Sequence, residues 1–236
     1  MMTFVDKVTA AYRDAEARFL AGEEMHVYFT EANSKTHMPT VDLLPLLTCH
    51  GRCRHMCGEI REGKFLPKCY AAHMCNRFPN LMRHYAENTV LAIHAPAQYW
   101  AEIRERMAGE RKMRLFGSGD AIIRGYFSNL CAALLDNPHC EIQGFSKCWE
   151  IVADYIDRNG KLPDNLKLLL SGWNGEKPYN PHNLPETDVY EKGDALPDGW
   201  LSCCGDCGEC FRKRKGCWGA QAGDVVGFEN HTAGKL

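Results

Sequence analysis

Long apolar runs are missing from this 236-residue chain. No stretch approaches the ~18 consecutive apolar residues of a membrane-spanning helix, so a transmembrane helix is excluded. An excess of one charge is missing too: 28 Lys plus Arg stand against 30 Asp plus Glu, a formal net charge of -2. That balance argues against a nucleic-acid coat or an acidic tail, both of which need one sign to dominate. The first twenty residues lack the apolar core of an export signal, since Asp6, Lys7, Arg13, Asp14, Glu16 and Arg18 interrupt them. A cytoplasmic protein is expected, with no membrane partner. Hydrophobic residues make up 45% and charged residues 25%, enough to build a core.

Cysteine is not lacking. There are 13, about one residue in eighteen. With no export signal they read as metal ligands rather than as a disulfide framework, and the odd total fits complete pairing poorly. Cys49, Cys53, Cys57, Cys69 and Cys75 form one group, and Cys203, Cys204, Cys207, Cys210 and Cys217 a second. Cys131, Cys140 and Cys148 stand singly in apolar surroundings, where a thiol behaves as a small core residue.

Between the two groups the pattern is strand, short loop, helix, repeated. Lys112–Phe116 reads as a strand, Gly117-Ser118-Gly119-Asp120 as a turn and Ala121–Leu135 as a helix. Cys140–Phe145, Ser146-Lys147 and Cys148–Arg158 repeat the unit, ended by Asn159-Gly160. Leu166–Leu170 is a third strand, followed by Ser171-Gly172-Trp173-Asn174. An earlier strand at Met25–Thr30, a leading helix over Phe4–Phe19 and a helical region from Pro67 to Glu87 broken at Pro79 complete the reading. These parallel βα units predict an α/β fold, a partial barrel over residues 1–195 with a Cys-rich extension over 196–236. In such folds the loops at the carboxyl ends of strands face the ligand. Gly117–Asp120, Ser146-Lys147 and Ser171–Asn174 therefore share one rim. Asp120 is either a ligand-facing carboxylate or a helix cap, and Lys147 either a site cation or a solvated lysine.

Cys49-x3-Cys53-x3-Cys57 followed by Cys69 suits an iron–sulfur cluster or a four-thiolate zinc site. Three thiolates leave one iron of a cubane open to substrate; four close it. Cys204-x2-Cys207-x2-Cys210 with a more distant Cys217 has ferredoxin-like spacing, with zinc as the alternative. Cys203 is an alternative ligand or a spare. The Arg212–Lys215 run is read as a solvated loop offsetting an anionic centre; nucleic acid is the less favoured partner.

The order Lys35-Thr36, Thr48-Cys49, Cys69-Tyr70-Ala71, Ser118-Gly119-Asp120, Phe145-Ser146-Lys147, Ser171-Gly172-Trp173 and Glu229-Asn230-His231 resembles the phage gene product 88 family over roughly residues 25 to 231. Those proteins look like relatives of radical S-adenosylmethionine (SAM) enzymes. The resemblance implies a partial barrel, a 4Fe–4S cluster (one or two) and a phage or prophage origin, hence a host cytoplasm. It places Gly117, Ser118, Gly119, Asp120 and Ser171 on SAM, with Asp120 pairing its amino group and Lys147 helping to orient it. Radical SAM enzymes usually carry C-x3-C-x2-C, whereas the first group here has C-x3-C-x3-C. The expected function is thus an iron–sulfur enzyme fed by an electron donor, acting on an unidentified small molecule or nucleotide. The alternative is a non-catalytic binding protein stabilised by its metals.

Overall fold

The computed structural model describes residues 2–56, 58–61, 64–66, 68–173 and 176–230. Cys57, Asn174 and His231 lie outside the described residues. The chain begins with α1 (Phe4–Leu20), whose Phe4, Val8 and Ala15 face is buried, as the apolar spacing predicts. A reciprocal cap starts it: Asp6 N–H donates to Thr3 Oγ1 at 3.1 Å and Thr3 N–H to Asp6 Oδ2 at 2.9 Å. The helical region after residue 67 is α2 (Tyr70–Arg77) and α3 (Pro79–His94), with the expected break at Pro79. A further helix, α4 (Pro96–Ala108), goes beyond the sequence reading. Both α3 and α4 open on proline, whose missing N–H costs nothing in a first turn.

Seven strands form one parallel sheet: β1 (Thr40–Val41), β4 (Lys112–Leu115), β5 (Glu141–Ser146), β6 (Leu166–Ser171), β7 (Glu186–Tyr190), β8 (Leu201–Ser202) and β9 (Val225–Glu229). A small antiparallel hairpin, β2 (Glu59–Arg61) and β3 (Lys64–Leu66), stands apart. The sheet order is β1-β4-β5-β6-β7-β9-β8, and it does not close. From β1 to β7 each strand is added on the same side, so right-handed crossovers place the connecting helices on one face. A doubly wound sheet would instead reverse at a switch point. This is a mixed α/β fold with an open sheet, coarser than the partial barrel expected. Residues 196–236 contribute β8 and β9 to this sheet, with β9 paired to β7.

Met25–Thr30 is not a strand. Met25 and Val27 are buried in alternation as expected, but the backbone donors go elsewhere. Val27 N–H donates to Glu102 Oε2 at 2.6 Å and Tyr28 N–H to Asn88 Oδ1 at 2.7 Å, both on helices. Only Thr30 touches the sheet, as an antiparallel bridge to Thr40. The helix expected from Ala121 begins later, as α5 (Tyr126–Asp136), because Gly125 precedes it in a left-handed conformation, φ 74°.

Two faces of the sheet are treated differently. Met113, Leu115, Ile142, Leu166, Leu168 and Leu170 pack against α4, α5 and α6 (Trp149–Asn159) in the main core. Cys131, Cys140 and Cys148 are wholly buried there, as expected of core thiols. On the other face, Arg114, Gln143 and Lys167 are register partners across β4, β5 and β6. Leu169 on that face packs with Cys217 and Val226, joined by Phe145, Cys203 and Phe228. The Cys-rich segment between β8 and β9, with α7 (Cys207–Lys213) and a short 3-10 turn at Gly216–Trp218, therefore contacts the face that the helices leave open.

Candidate functional site

The carboxyl ends of β1, β4, β5 and β6 form a continuous rim. Leaving β1, the chain presents Asp42, a buried carboxylate that sequence reasoning did not single out. Its Oδ1 accepts from Ser118 N–H at 2.8 Å and its Oδ2 from Tyr85 Oη at 3.0 Å. Burial pushes the Asp42 carboxyl above its ordinary value, against the charge of Arg114 and the Ser118 N–H, which lower it. Ser118 also donates its hydroxyl to Leu43 O at 2.8 Å, and Asp120 N–H donates to Thr48 O at 2.9 Å.

The Gly117–Asp120 loop is thus seated on the 42–48 segment. Its glycines are needed for that seating: a Cβ on Gly119, φ 75°, would collide with Thr48 Oγ1 and Leu43. Asp120 is only 4% exposed. Its Oδ1 accepts from Ala121 N–H at 2.8 Å and Ser146 Oγ at 2.7 Å, and its Oδ2 from Lys147 N–H at 2.6 Å. One carboxylate joins the end of β4 to the end of β5, and its charge is met by internal donors.

The thiols of the first group are hung on this frame. Thr48, held by Asp120, is followed directly by Cys49. Cys49 and Cys53 are joined by a thiol–thiol hydrogen bond, and Cys69, preceding α2, lies within electrostatic range of both. Cys53 is held below the ordinary thiol value, first by Cys49 and then by Lys147 and Arg52, while burial opposes. Burial pushes Cys69 up. Lys147 Nζ donates to Ser171 Oγ and lies 5.9 Å from the Trp173 ring. Arg52, between Cys49 and Cys53, stacks 3.9 Å over Trp149, donates to Lys147 O at 2.8 Å and pairs with Glu150 at 2.9 Å. The turn bearing Cys53 is clamped to the start of α6. Cys75 is buried on α2 and faces the α1–α3 core. An apolar groove of about 500 Å³ adjoins the rim, lined by Leu47, Thr48, Ala92, Ile93, Ile122 and Arg124 among others.

The second group is more compact. Cys210 Sγ stands 3.3 Å from Cys204 Sγ. Cys217 is within range of Cys203, Cys207 and Cys210. Asp206 caps α7 by accepting from Glu209 N–H at 2.8 Å, and Cys207 N–H donates to Lys35 O at 2.9 Å. Three of the four residues of the basic run are engaged within the chain: Lys213 and Lys215 reach Glu209 at 3.0 and 2.7 Å, and Arg214 pairs with Glu141. Among the described residues, no three Cys, His, Asp or Glu side chains are set, as they stand, to hold a metal ion. No helix among them is long and apolar enough to cross a membrane.

The structure thus brings together Cys49, Cys53, Cys69, Asp120, Lys147 and Ser171 at the rim, and Cys204, Cys207, Cys210 and Cys217 on the opposite face from the helices. The signal for Asp42 was available in the sequence as a carboxylate between Val41 and Leu43-Leu44, but nothing there marked it as buried. Neither the curated proteins nor the solved structures contain a match to this chain. Residues 13–213 match the family model described as Gene product 88, and with most of its length so covered the chain belongs to that family.

Proposed function

We propose that this protein is an iron–sulfur protein whose rim thiols are its chemical centre, and that it works as a radical-SAM-like enzyme on a small molecule or nucleotide. The observation that carries the reading is the meeting of Cys49 and Cys53, from one turn, with Cys69, from the start of α2, beside the cations Lys147 and Arg52 at the carboxyl ends of parallel strands. Soft thiolate donors suit iron–sulfide, and neighbouring cations offset the negative charge such a cluster carries. Bound there and reduced, a cluster would supply single electrons to SAM. Lys147 and the Ser171 hydroxyl are the polar groups at the rim that fit the cofactor, and the adjoining apolar groove fits a substrate. Asp120 fits a different role, because with three internal donors it holds Cys49 and Lys147 in place rather than receiving an ammonium.

That last observation favours a second reading, a metal-stabilised binding protein with no SAM chemistry. Anaerobic purification with iron and sulfide analysis separates the two. The enzyme reading expects iron with matching sulfide, of which Cys53→Ser loses one cluster's worth, and a change in the electron paramagnetic resonance of the reduced protein on adding SAM. Iron–sulfide indifferent to SAM supports the binding protein. Rim thiols that retain no metal at all overturn both.

A further inference from the structure

We propose that Cys203, Cys207, Cys210 and Cys217 hold a metal–thiolate centre on the helix-free face of the sheet, with Cys204 outside the ligand set and Arg114 and Trp218 as its surrounding donors. This differs from the ferredoxin-like count, which begins at Cys204. It is independent of the rim centre.

Two arrangements single out Cys203. It packs with Cys217 against Leu169 and Val226, whereas Cys204 is exposed. Cys217 lies within range of Cys203, Cys207 and Cys210. Cys207 and Cys210 border the adjoining cluster of Met38 and Trp218, so the four thiols sit between two apolar patches. Counted from Cys203, the spacing is C-x3-C-x2-C-x6-C, ending at Cys217.

A second, unrelated observation points to an anion there. Arg114 Nε and Trp218 Nε1 are buried N–H donors with no hydrogen-bond partner among the described residues. Buried donors are almost always satisfied, and an unpaired one marks a missing partner. Arg114 reaches Cys207 and Cys217 electrostatically, and Trp218 follows Cys217 and packs on Cys210. Neutral thiols are weak acceptors, whereas metal-bound thiolates carry net negative charge and take N–H donors readily. Cys204 Sγ, 3.3 Å from Cys210 Sγ, would remain beside the centre as a hydrogen-bond donor to the Cys210 thiolate rather than as a ligand. Such a centre would staple the segment between β8 and β9 to β4, β5 and β6, covering the face that the helices do not.

The test uses the full chain purified anaerobically, with iron, zinc and acid-labile sulfide measured in wild type, Cys203→Ser, Cys204→Ser and Cys53→Ser. Cys203→Ser is expected to lose one centre's worth of metal, Cys204→Ser none, and Cys53→Ser to leave that same metal in place. Sulfide with iron identifies a cluster and zinc alone a mononuclear site, and either satisfies the proposal. Because Cys203→Ser can unfold, alkylation of the unmutated protein is read alongside by mass spectrometry. Cys204 should be modified at least tenfold faster than Cys203, Cys207, Cys210 and Cys217, and the difference should vanish after chelation. Metal lost in Cys204→Ser but kept in Cys203→Ser overturns the proposal, as does equal alkylation of all five thiols before chelation.

Discussion

Asp120→Asn isolates the difference between a carboxylate that holds the rim together and one that receives a cofactor. In the wild type its two oxygens take Ala121 N–H, Ser146 Oγ and Lys147 N–H in a nearly solvent-free position. Asn keeps the shape but turns one oxygen into an NH2. The less costly orientation keeps the oxygen on Ala121 and Ser146 and points the NH2 at Lys147 N–H. A charge-assisted bond worth about 1.5–3 kcal/mol is lost, and two buried donors then face each other at a further cost of about 1–3 kcal/mol. A total near 4 kcal/mol corresponds to a fall in melting temperature of roughly 10 °C for a chain of this size. Circular dichroism melts of both proteins, prepared in parallel, measure it. Rim metal content should fall in the same variant, because Asp120 N–H and its carboxylate together position Thr48 and Lys147. An unchanged melting temperature combined with weakened SAM binding would refute this account and put Asp120 on the cofactor.

Gly119→Ala should cost about 2–5 kcal/mol, since φ 75° strains any side chain and its Cβ would collide with Thr48 Oγ1. Gly160→Ala, at φ 84° with nothing within 4 Å, should cost only the backbone share of about 1–2 kcal/mol, and urea titration compares the two. Asp42→Asn tests the raised carboxyl. With its folded value above the unfolded one, Asp42 is protonated more readily in the folded state, so wild-type stability falls as pH rises through the ordinary carboxylate range and stays lowered above the folded value. The Asn variant should lack that component, gaining on wild type from about pH 4 towards neutrality in melts at several pH values; a parallel pair of curves would count against it. Arg52→Lys should cost under ~1 kcal/mol globally, because its Glu150 partner is half exposed, yet it removes the stack on Trp149. Faster alkylation of Cys53 in that variant, with little change in melting temperature, is the expected result.

The regular middle of the chain was legible because its hydrophobic periods were long. Lys112–Leu115, Glu141–Ser146 and Leu166–Ser171 are the expected strands within a residue or two, and α1 and the Pro79 break fell where apolar spacing and proline chemistry put them. The margins of the sheet were not. Thr40–Val41 and Leu201–Ser202 are two residues each, too short for any period to register, and Glu186–Tyr190 is half polar. Met25–Thr30 has the alternation of a strand, but Glu102 and Asn88 took its hydrogen bonds, a choice made by tertiary packing. At the rim, convergence of the loops was readable from the βα pattern. What Gly117–Asp120 does there was not, because a glycine that admits a ligand and one that admits the neighbouring 42–48 segment look the same in sequence.

The position of β9 has a consequence for how the chain is made. Its residues, Val225–Glu229, leave the ribosome after those of β8, yet β9 lies between β7 and β8. Until they emerge, β7 has a bare edge and Leu201–Ser202 has no strand to join, since β8 pairs with β9. Bare edges recruit strands from other chains. A nascent chain with its residues exposed as far as about 220 would present all thirteen cysteines and six of the seven sheet strands, but not the strand that links the last of these to the rest. On the proposal that Cys203, Cys207, Cys210 and Cys217 hold a metal, its capture at that moment would pin Cys207–Trp218 over the sheet before β9 slots in, and translation and metal supply would share one interval.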